Sequence, residues 1–279
     1  MGETILDPTL PIIDPHHHLW DRSAVIAARA APSHDFERLL TLSPRYLFEE
    51  LLADMGRGHN VIATVYMECG SMYRADGPAE MRAIGETEFV NGFAAMSASG
   101  LYGPIRACAG IVGHTDLRRG DAAADVLEAH IAAGNGRFKG IRHSASADAD
   151  PAVLGFLGHT ELGLYRSPAF REGFKHLSRL GLSFDAWLLE PQLGDVIDLA
   201  QTFADTPIVL DHVGTPLGIA RYKGHREERF AVWKQSIQTL ARCQNVSVKL
   251  GGLAMPFPGF ASFMSQPPAS SETLAQEWK

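Results

Sequence analysis

The feature that most limits the fold of this chain is a regular alternation of short apolar runs with longer segments of helical pattern. The runs are rich in β-branched residues and recur seven times in 279 residues, at 11–14, 61–67, 105–112, 138–141, 182–187, 207–210 and 246–250. The spacing of about 25 to 50 residues accommodates one helix and its loops in a crossover between parallel strands. The alternation predicts an α/β fold with a parallel sheet, which either a doubly wound sheet or a barrel would satisfy.

The segments between the runs include four with clear helical pattern, at 122–133, 168–180, 193–203 and 229–242. No GxGxxG or GxxxxGK[ST] motif follows any of the apolar runs. The commonest nucleotide-binding versions of an α/β fold are therefore excluded.

Polar residues that can do chemistry follow the C-terminal ends of six runs. They are His16 and His18, Glu68, His114, Arg142 and His143, Glu190, and Asp211 and His212. In a (β/α)₈ barrel the C-terminal ends of the strands form the active-site face. This placement favours a barrel whose site is assembled from several strand ends.

The composition excludes several classes of partner. Twenty-five Lys and Arg against 32 Asp and Glu give a net charge of −7, and no basic stripe indicates nucleic-acid binding. No apolar run of about 18 residues indicates a membrane span. Residues 1–4 show no signal-peptide pattern, and the three cysteines lie far apart, so we expect a cytoplasmic protein with reduced thiols.

The histidine triplet after the first run indicates a metal site. Residues two apart on a strand point to the same side, so His16 and His18 converge while His17 points away. Two converging imidazoles are natural ligands of a divalent metal, with Zn²⁺ as the default. A hydrogen-bonded structural pair or a surface cluster remains the alternative.

His212 follows the sixth run and precedes Gly214, which lets the chain turn and a substrate approach. It is a candidate third ligand or general acid or base. Asp211 alternates with it and is expected to face the other way, where it would support a loop. No GxSxG elbow and no reactive-thiol context supports nucleophilic catalysis by serine or cysteine.

Arg142 and His143 follow the fourth run. A guanidinium there suits an anionic substrate, and a salt bridge to a loop acid is the alternative. Glu68 and Glu190 are candidate bases or ligands, or simply solvated loop acids. The remaining histidines lie in helix or loop contexts and are expected outside the site: His34, His59, His130, His159, His176 and His225.

Four motifs in order resemble the TIM-barrel metal-dependent hydrolases of the amidohydrolase superfamily, in its amidohydrolase-2 branch. They are IDPHHHLWD at 13–21, KGIRH at 139–143, PQL at 191–193 and LDHVG at 210–214. The first is similar to the Asp-x-His-x-His-x-Trp opening of the group that contains L-fuconolactonase, 2-pyrone-4,6-dicarboxylate lactonase and 4-sulfomuconolactonase. The resemblance extends roughly over residues 10–278.

This resemblance implies a (β/α)₈ barrel that hydrolyses a small, often acidic, lactone. It implies that His16 and His18 are the first-strand metal pair, that His212 is the sixth-strand histidine, and that Arg142 contacts a substrate carboxylate. Some lactonases of this branch work without a metal although they keep the histidine pair. The resemblance therefore leaves the need for a metal open.

Two departures from the family pattern stand out. Where the superfamily has a fifth-strand histidine, this chain has Glu190, and the eighth-strand aspartate that handles the attacking water is missing. We therefore expect residues 1–279 to form one TIM-barrel domain that lacks its eighth strand and is incomplete at the C-terminus. The activity of this chain is in question for the same reason.

The combined expectation is a hydrolase that opens a carboxylated lactone, with a divalent metal, zinc, as cofactor. Its expected site comprises His212 and Glu68 as catalytic residues, Arg142, His143 and Glu190 as substrate-binding residues, and His16 and His18 as metal ligands. The alternatives are a metal-dependent non-oxidative decarboxylase of the same superfamily and a truncated barrel that binds without turnover. No nucleic acid or membrane partner is expected, and a homo-oligomer is left open.

Overall fold

The computed structural model describes residues 3–28, 31–157 and 160–279. His159, expected to lie outside the site, falls outside the described residues. So do the first two residues of the segment tested for a signal peptide.

Seven strands form one parallel sheet, and two short strands form a separate antiparallel pair. In chain order they are β1 Ile12–His17, β2 Trp20–Asp21, β3 Arg45–Tyr46, β4 Val61–Met67, β5 Arg106–Gly113, β6 Phe138–Arg142, β7 Ser183–Ala186, β8 Ile208–Leu210 and β9 Val246–Val248. The large sheet has the order β1-β4-β5-β6-β7-β8-β9, with every neighbouring pair parallel, and β2 pairs with β3.

The strand order distinguishes the two predicted architectures. Each strand of the large sheet lies beside the next one along the chain, whereas a doubly wound sheet reverses its order at a switch point. The sheet is therefore seven strands of a curled, incomplete TIM barrel, as predicted. Within the described residues, β1 and β9 are its two edges.

The helices lie mainly between the sheet strands. They are α1 Ser23–Ala27, α2 Asp35–Leu42, α3 Phe48–Met55, α4 Ile84–Ala98, α5 Ala123–Gly134, α6 Pro151–Leu154, α7 Pro168–Arg179, α8 Leu193–Thr202, α9 Arg226–Leu240 and α10 Ser271–Glu277. The four predicted helices are confirmed as α5, α7, α8 and α9. Among the described residues, no helix combines the length and apolar character needed to cross a bilayer.

Helix α7 illustrates how the sequence encodes a crossover helix. The Ser167 side chain accepts a hydrogen bond from the backbone of Phe170, and Pro168 occupies the first turn, where its missing N–H costs nothing. Phe170 and Phe174 lie one turn apart and pack against Phe184 of β7. Burial of this aromatic stripe holds α7 on the sheet and fixes the strand beneath it.

Candidate active site

The strands bring one group of ionisable side chains together on the sheet. We call it the Asp211 cluster; its members are His16, His18, Glu68, Arg142, Asp185, Asp211, His212 and Lys249. They come from β1, β6 and β7 and from the segments that follow β1, β4, β8 and β9. The four residues that the resemblance assigns to the site thus meet at one place: His16, His18, Arg142 and His212.

The histidine triplet takes the alternating arrangement that the sequence predicts. The rings of His16 and His18 are 5.0 Å apart between centroids, and those of His16 and His212 are 4.5 Å apart. His17 instead contacts buried groups of neighbouring strands, with its Nε2 2.8 Å from Oγ1 of Thr64. The strand period therefore separates two histidines that face the cluster from one that supports the sheet.

Asp211 does not face away from His212, so that expectation is wrong. Strand β8 ends at Leu210, and residues Asp211–Gly214 form a short 3₁₀ turn. Within it His212 and Val213 have φ of 54° and 49°, a left-handed conformation that is unusual for a β-branched residue. Strand alternation no longer applies in this turn, and consecutive side chains reach the same cluster.

Asp211 is the most contacted carboxylate of the cluster and is fully buried. Its Oδ1 lies 3.2 Å from Nζ of Lys249 and 3.6 Å from Nδ1 of His16, and its Oδ2 accepts a hydrogen bond of 3.4 Å from Nη1 of Arg142. Such a carboxylate is tolerated in the interior because cations face both of its oxygens.

Arg142 is largely committed to protein groups. Its Nε donates to Oε1 of Glu68 at 2.7 Å, and its Nη2 donates to the backbone carbonyl of Glu68 at 2.5 Å. With the bond to Asp211, three of the five N–H groups of the guanidinium are used. The salt bridge to a loop acid, one of the two alternatives for Arg142, is thus present in the structure.

Two members of the cluster were missed at the sequence level. Lys249 follows β9 directly, and its Nζ donates to Oδ1 of Asp185 at 2.5 Å. The rule that singled out the other strand ends applies equally to Lys249. Asp185 is an acid inside the short apolar strand β7, and such a residue requires a buried partner.

His143 and Glu190 are not brought into the cluster. The ring of His143 lies against His114, and its Nδ1 accepts from the backbone N–H of Leu117 at 3.4 Å. Buried Glu190 accepts from Arg229 of α9, with Oε2 at 2.6 Å from Nη2. The substrate-binding roles of His143 and Glu190 therefore stay predictions without a supporting contact to the cluster.

Burial controls the charge of the cluster. Loss of water lowers the pKa of His212 to about 3, holds that of His18 well below its usual value and lowers that of His16. For Asp211, burial alone would raise the pKa, but the contact with His16 and the charges of Arg142 and Lys249 hold it well below its usual value. The arrangement is therefore one of neutral imidazoles around an ionised carboxylate.

Three groups of the cluster have the chemistry of a metal site, and we call His16, Asp211 and His212 the metal-candidate set. Each offers a ligand atom, and these atoms lie within 4.8 Å of one another. Nε2 of His16 and Nδ1 of His212 are buried without a hydrogen-bond partner, as expected for nitrogens reserved for another ligand. Two imidazoles and one carboxylate suit Zn²⁺, so the residues fit the predicted metal.

His18 stands beside this set rather than in it. Its Nδ1 lies 2.8 Å from the backbone carbonyl of Met67, which makes that nitrogen a donor and leaves Nε2 for another partner. The metal role predicted for His18 stays a prediction, whereas His16 belongs to the compact set.

A cavity of about 380 Å³ opens onto the cluster between the two edge strands. Its lining comprises Asp14, Pro15, His16, His212, Lys249, Leu250, Gly251 and Gly252. The lining of the cavity therefore contains two histidines, one lysine and one aspartate, while Arg142 and Glu68 are absent from it.

Comparison with known proteins places the chain among amidohydrolases. The family model described as Amidohydrolase matches residues 13–277. The chain is similar to a Sinorhizobium fredii protein described as uncharacterized protein y4mH, with 33% identity over 251 residues that make up 88% of this chain and 74% of the relative.

Two crystal structures of an amidohydrolase from Burkholderia multivorans, one with bound HEPES and one with bound Zn, share the fold. Each has a TM-score of 0.63 and covers 95% of this chain and 76% of the other, with 24% and 23% identity respectively.

Proposed function

The chain belongs to the amidohydrolase family, and from that premise we propose that it hydrolyses a small lactone that carries a carboxylate. The observation that carries the proposal is the convergence of His16, His212 and Lys249 on one cavity beside the ionised Asp211. A cavity of about 380 Å³ suits a compact ring rather than a polymer.

Lys249 would bind the anionic part of the substrate. It is the cation in the lining of the cavity, and its ammonium is held in place by Asp185. Arg142 lies behind Asp211 and contributes its charge from there, oriented by Glu68. The positive side of the cluster thus favours a carboxylate and the oxyanion that develops at the lactone carbonyl.

Hydrolysis needs one proton acceptor and one proton donor. Nε2 of His16 has no hydrogen-bond partner, so this imidazole can accept a proton as water adds to the lactone carbonyl carbon. The ring C–O bond then breaks, and the proton held by His16 passes through His212, whose ring centroid lies 4.5 Å from that of His16, to the departing alkoxide. The product is an open-chain hydroxy acid with one more carboxylate than the substrate.

A divalent metal bound by His16, Asp211 and His212 would instead supply Lewis-acid polarisation of the lactone carbonyl, and it would occupy the imidazole nitrogens that move the proton when no metal is bound. The bound zinc of the Burkholderia multivorans amidohydrolase supports testing zinc first.

The test is turnover of matched lactones by the 279-residue protein. Each carboxylated lactone is paired with the neutral lactone of the same ring, and acid release is followed with a pH indicator. We expect kcat/KM to favour the carboxylated member by roughly tenfold or more, since a charge-assisted contact contributes about 1.5–3 kcal/mol.

A histidine pair provides the control. His212→Asn should lower kcat by about a hundredfold or more through loss of proton transfer, whereas His225→Asn, at the exposed start of α9, should leave it unchanged. Release of CO₂ from a carboxylated substrate without lactone opening would replace the proposal by the decarboxylase alternative. Binding of lactones without turnover would replace it by the non-catalytic one.

A further inference from the structure

Lys249 places a positive charge against the metal-candidate set. Its Nζ lies 3.2 Å from Oδ1 of Asp211 and 3.4 Å from Nδ1 of His16, two of the three groups of the set. It reaches them from the end of β9, the strand paired with the β8 strand that precedes Asp211. The sheet therefore holds the ammonium of Lys249 beside the set.

Asp211 is the anionic member of the set, and its charge is already shared. Lys249 faces one oxygen and Arg142 faces the other, so a divalent ion bound there would be the third cation on one carboxylate. Like charges a few ångströms apart repel strongly in a buried site, because little water is present to screen them.

Lys249 is also held in place by a partner outside the metal-candidate set. Its shortest contact is the 2.5 Å bond to Oδ1 of Asp185, which lies outside the set, and its side chain is only 10% exposed. Withdrawal into water would leave the buried carboxylate of Asp185 without this partner, and that costs free energy.

We propose that Lys249 weakens divalent-metal binding by His16, Asp211 and His212, so that its ammonium, rather than a tightly held zinc ion, is the standing cation of the site. The proposal concerns metal affinity and needs no substrate, so its outcome is independent of whether the chain hydrolyses lactones.

The experiment is a titration of the 279-residue protein with Zn²⁺ in competition with a fluorescent zinc indicator. We compare the natural chain with Lys249→Met and with Lys234→Met, an exposed lysine of α9 that serves as the matched control. Lys249→Met should bind zinc roughly tenfold or more tightly than the natural chain, because one repelling charge is gone. Lys234→Met should bind zinc as the natural chain does.

A double variant guards against misfolding, because Lys249→Met alone leaves Asp185 buried without its lysine partner. Asp185→Asn combined with Lys249→Met removes both charges of this pair and should show the same gain. Equal or weaker zinc affinity in the folded Lys249 variants, including no binding by any protein, would overturn the proposal. So would a gain that survives Asp211→Asn, since the zinc would then lie elsewhere.

Discussion

The buried carboxylate of Asp211 contacts three side chains, those of His16, Lys249 and Arg142. Burial raises the pKa of Asp211, whereas the contact with His16 and the charges of Arg142 and Lys249 lower it. Removal of Lys249 or Arg142 would leave the charge of the fully buried Asp211 side chain less well compensated. The cluster is therefore expected to respond to substitution as a unit, and the effects of single variants should not add.

His130 of α5 gives a pH dependence that is separate from the cluster. Burial lowers its pKa from 6.5 to about 4, and its neutral ring bridges Oγ1 of Thr87 and the carbonyl of His114. Because the unfolded chain takes up the proton first as the pH falls, the stabilisation is complete above pH 6.5 and is lost between there and about pH 4.

We expect the natural chain to lose roughly 2 kcal/mol more unfolding free energy than His130→Gln between about pH 7 and pH 5. Urea unfolding at several pH values measures this, and all other histidines are common to both proteins. Parallel stability curves for the two chains would contradict the assignment of this loss to His130.

Among the elements, close approaches of backbone decide how the helices sit on the sheet. Gly173 of α7 packs against the loop before α5, and a Cβ placed on it would lie 2.2 Å from the carbonyl oxygen of Leu117. Gly92 of α4 is a helical glycine of the opposite kind, because a Cβ there would meet nothing within 4 Å. Both glycines lie within helices, but only Gly173 is required by a close packing contact.

This difference predicts opposite signs for the same substitution. Gly173→Ala should lower the unfolding free energy by about 1–3 kcal/mol, because the carbonyl oxygen cannot move without its strand-connecting segment. Gly92→Ala should raise it by about 0.5–1 kcal/mol, because alanine restricts the unfolded chain and favours the helix. Denaturant unfolding of both variants decides, and changes of the same sign would refute the packing argument.

For the molecule as a whole, the open sheet is the dominant property. Within the described residues, β1 and β9 each lack a strand neighbour on one side. Apolar side chains stand exposed there, with Ile13 58% and Leu250 89% accessible. Unpaired strand edges with apolar side chains are templates for association with another chain.

We therefore expect the 279-residue chain to associate as its concentration rises, and Leu250→Lys to reduce that association. Leu101→Lys is the matched control, since Leu101 is 86% exposed but lies after α4 and not beside a sheet edge. Sedimentation velocity across a range of concentrations measures the effect. Equal association of the two variants would show that the edge next to β9 is not the contact.

Patterns local in the sequence were sufficient to locate the seven sheet strands, the four main helices and the strand ends that carry the site, because periodicity reflects which face of an element is buried. The same reasoning correctly separated His17 from His16 and His18. The family to which the chain belongs was indicated separately, by the resemblance of four motifs, and the family model confirms it.

Only the tertiary structure decided which strand-end residues belong to the Asp211 cluster. Asp211 enters the cluster because a left-handed turn follows β8, and no periodicity in the sequence encodes that turn. Glu190 instead accepts a hydrogen bond from Arg229, which lies 39 residues away in the sequence. Lys249 reaches His16 across 233 residues of sequence. These pairings depend on the curvature of the open sheet and on competition between buried charges, which are properties of the assembled chain and not of any segment of it.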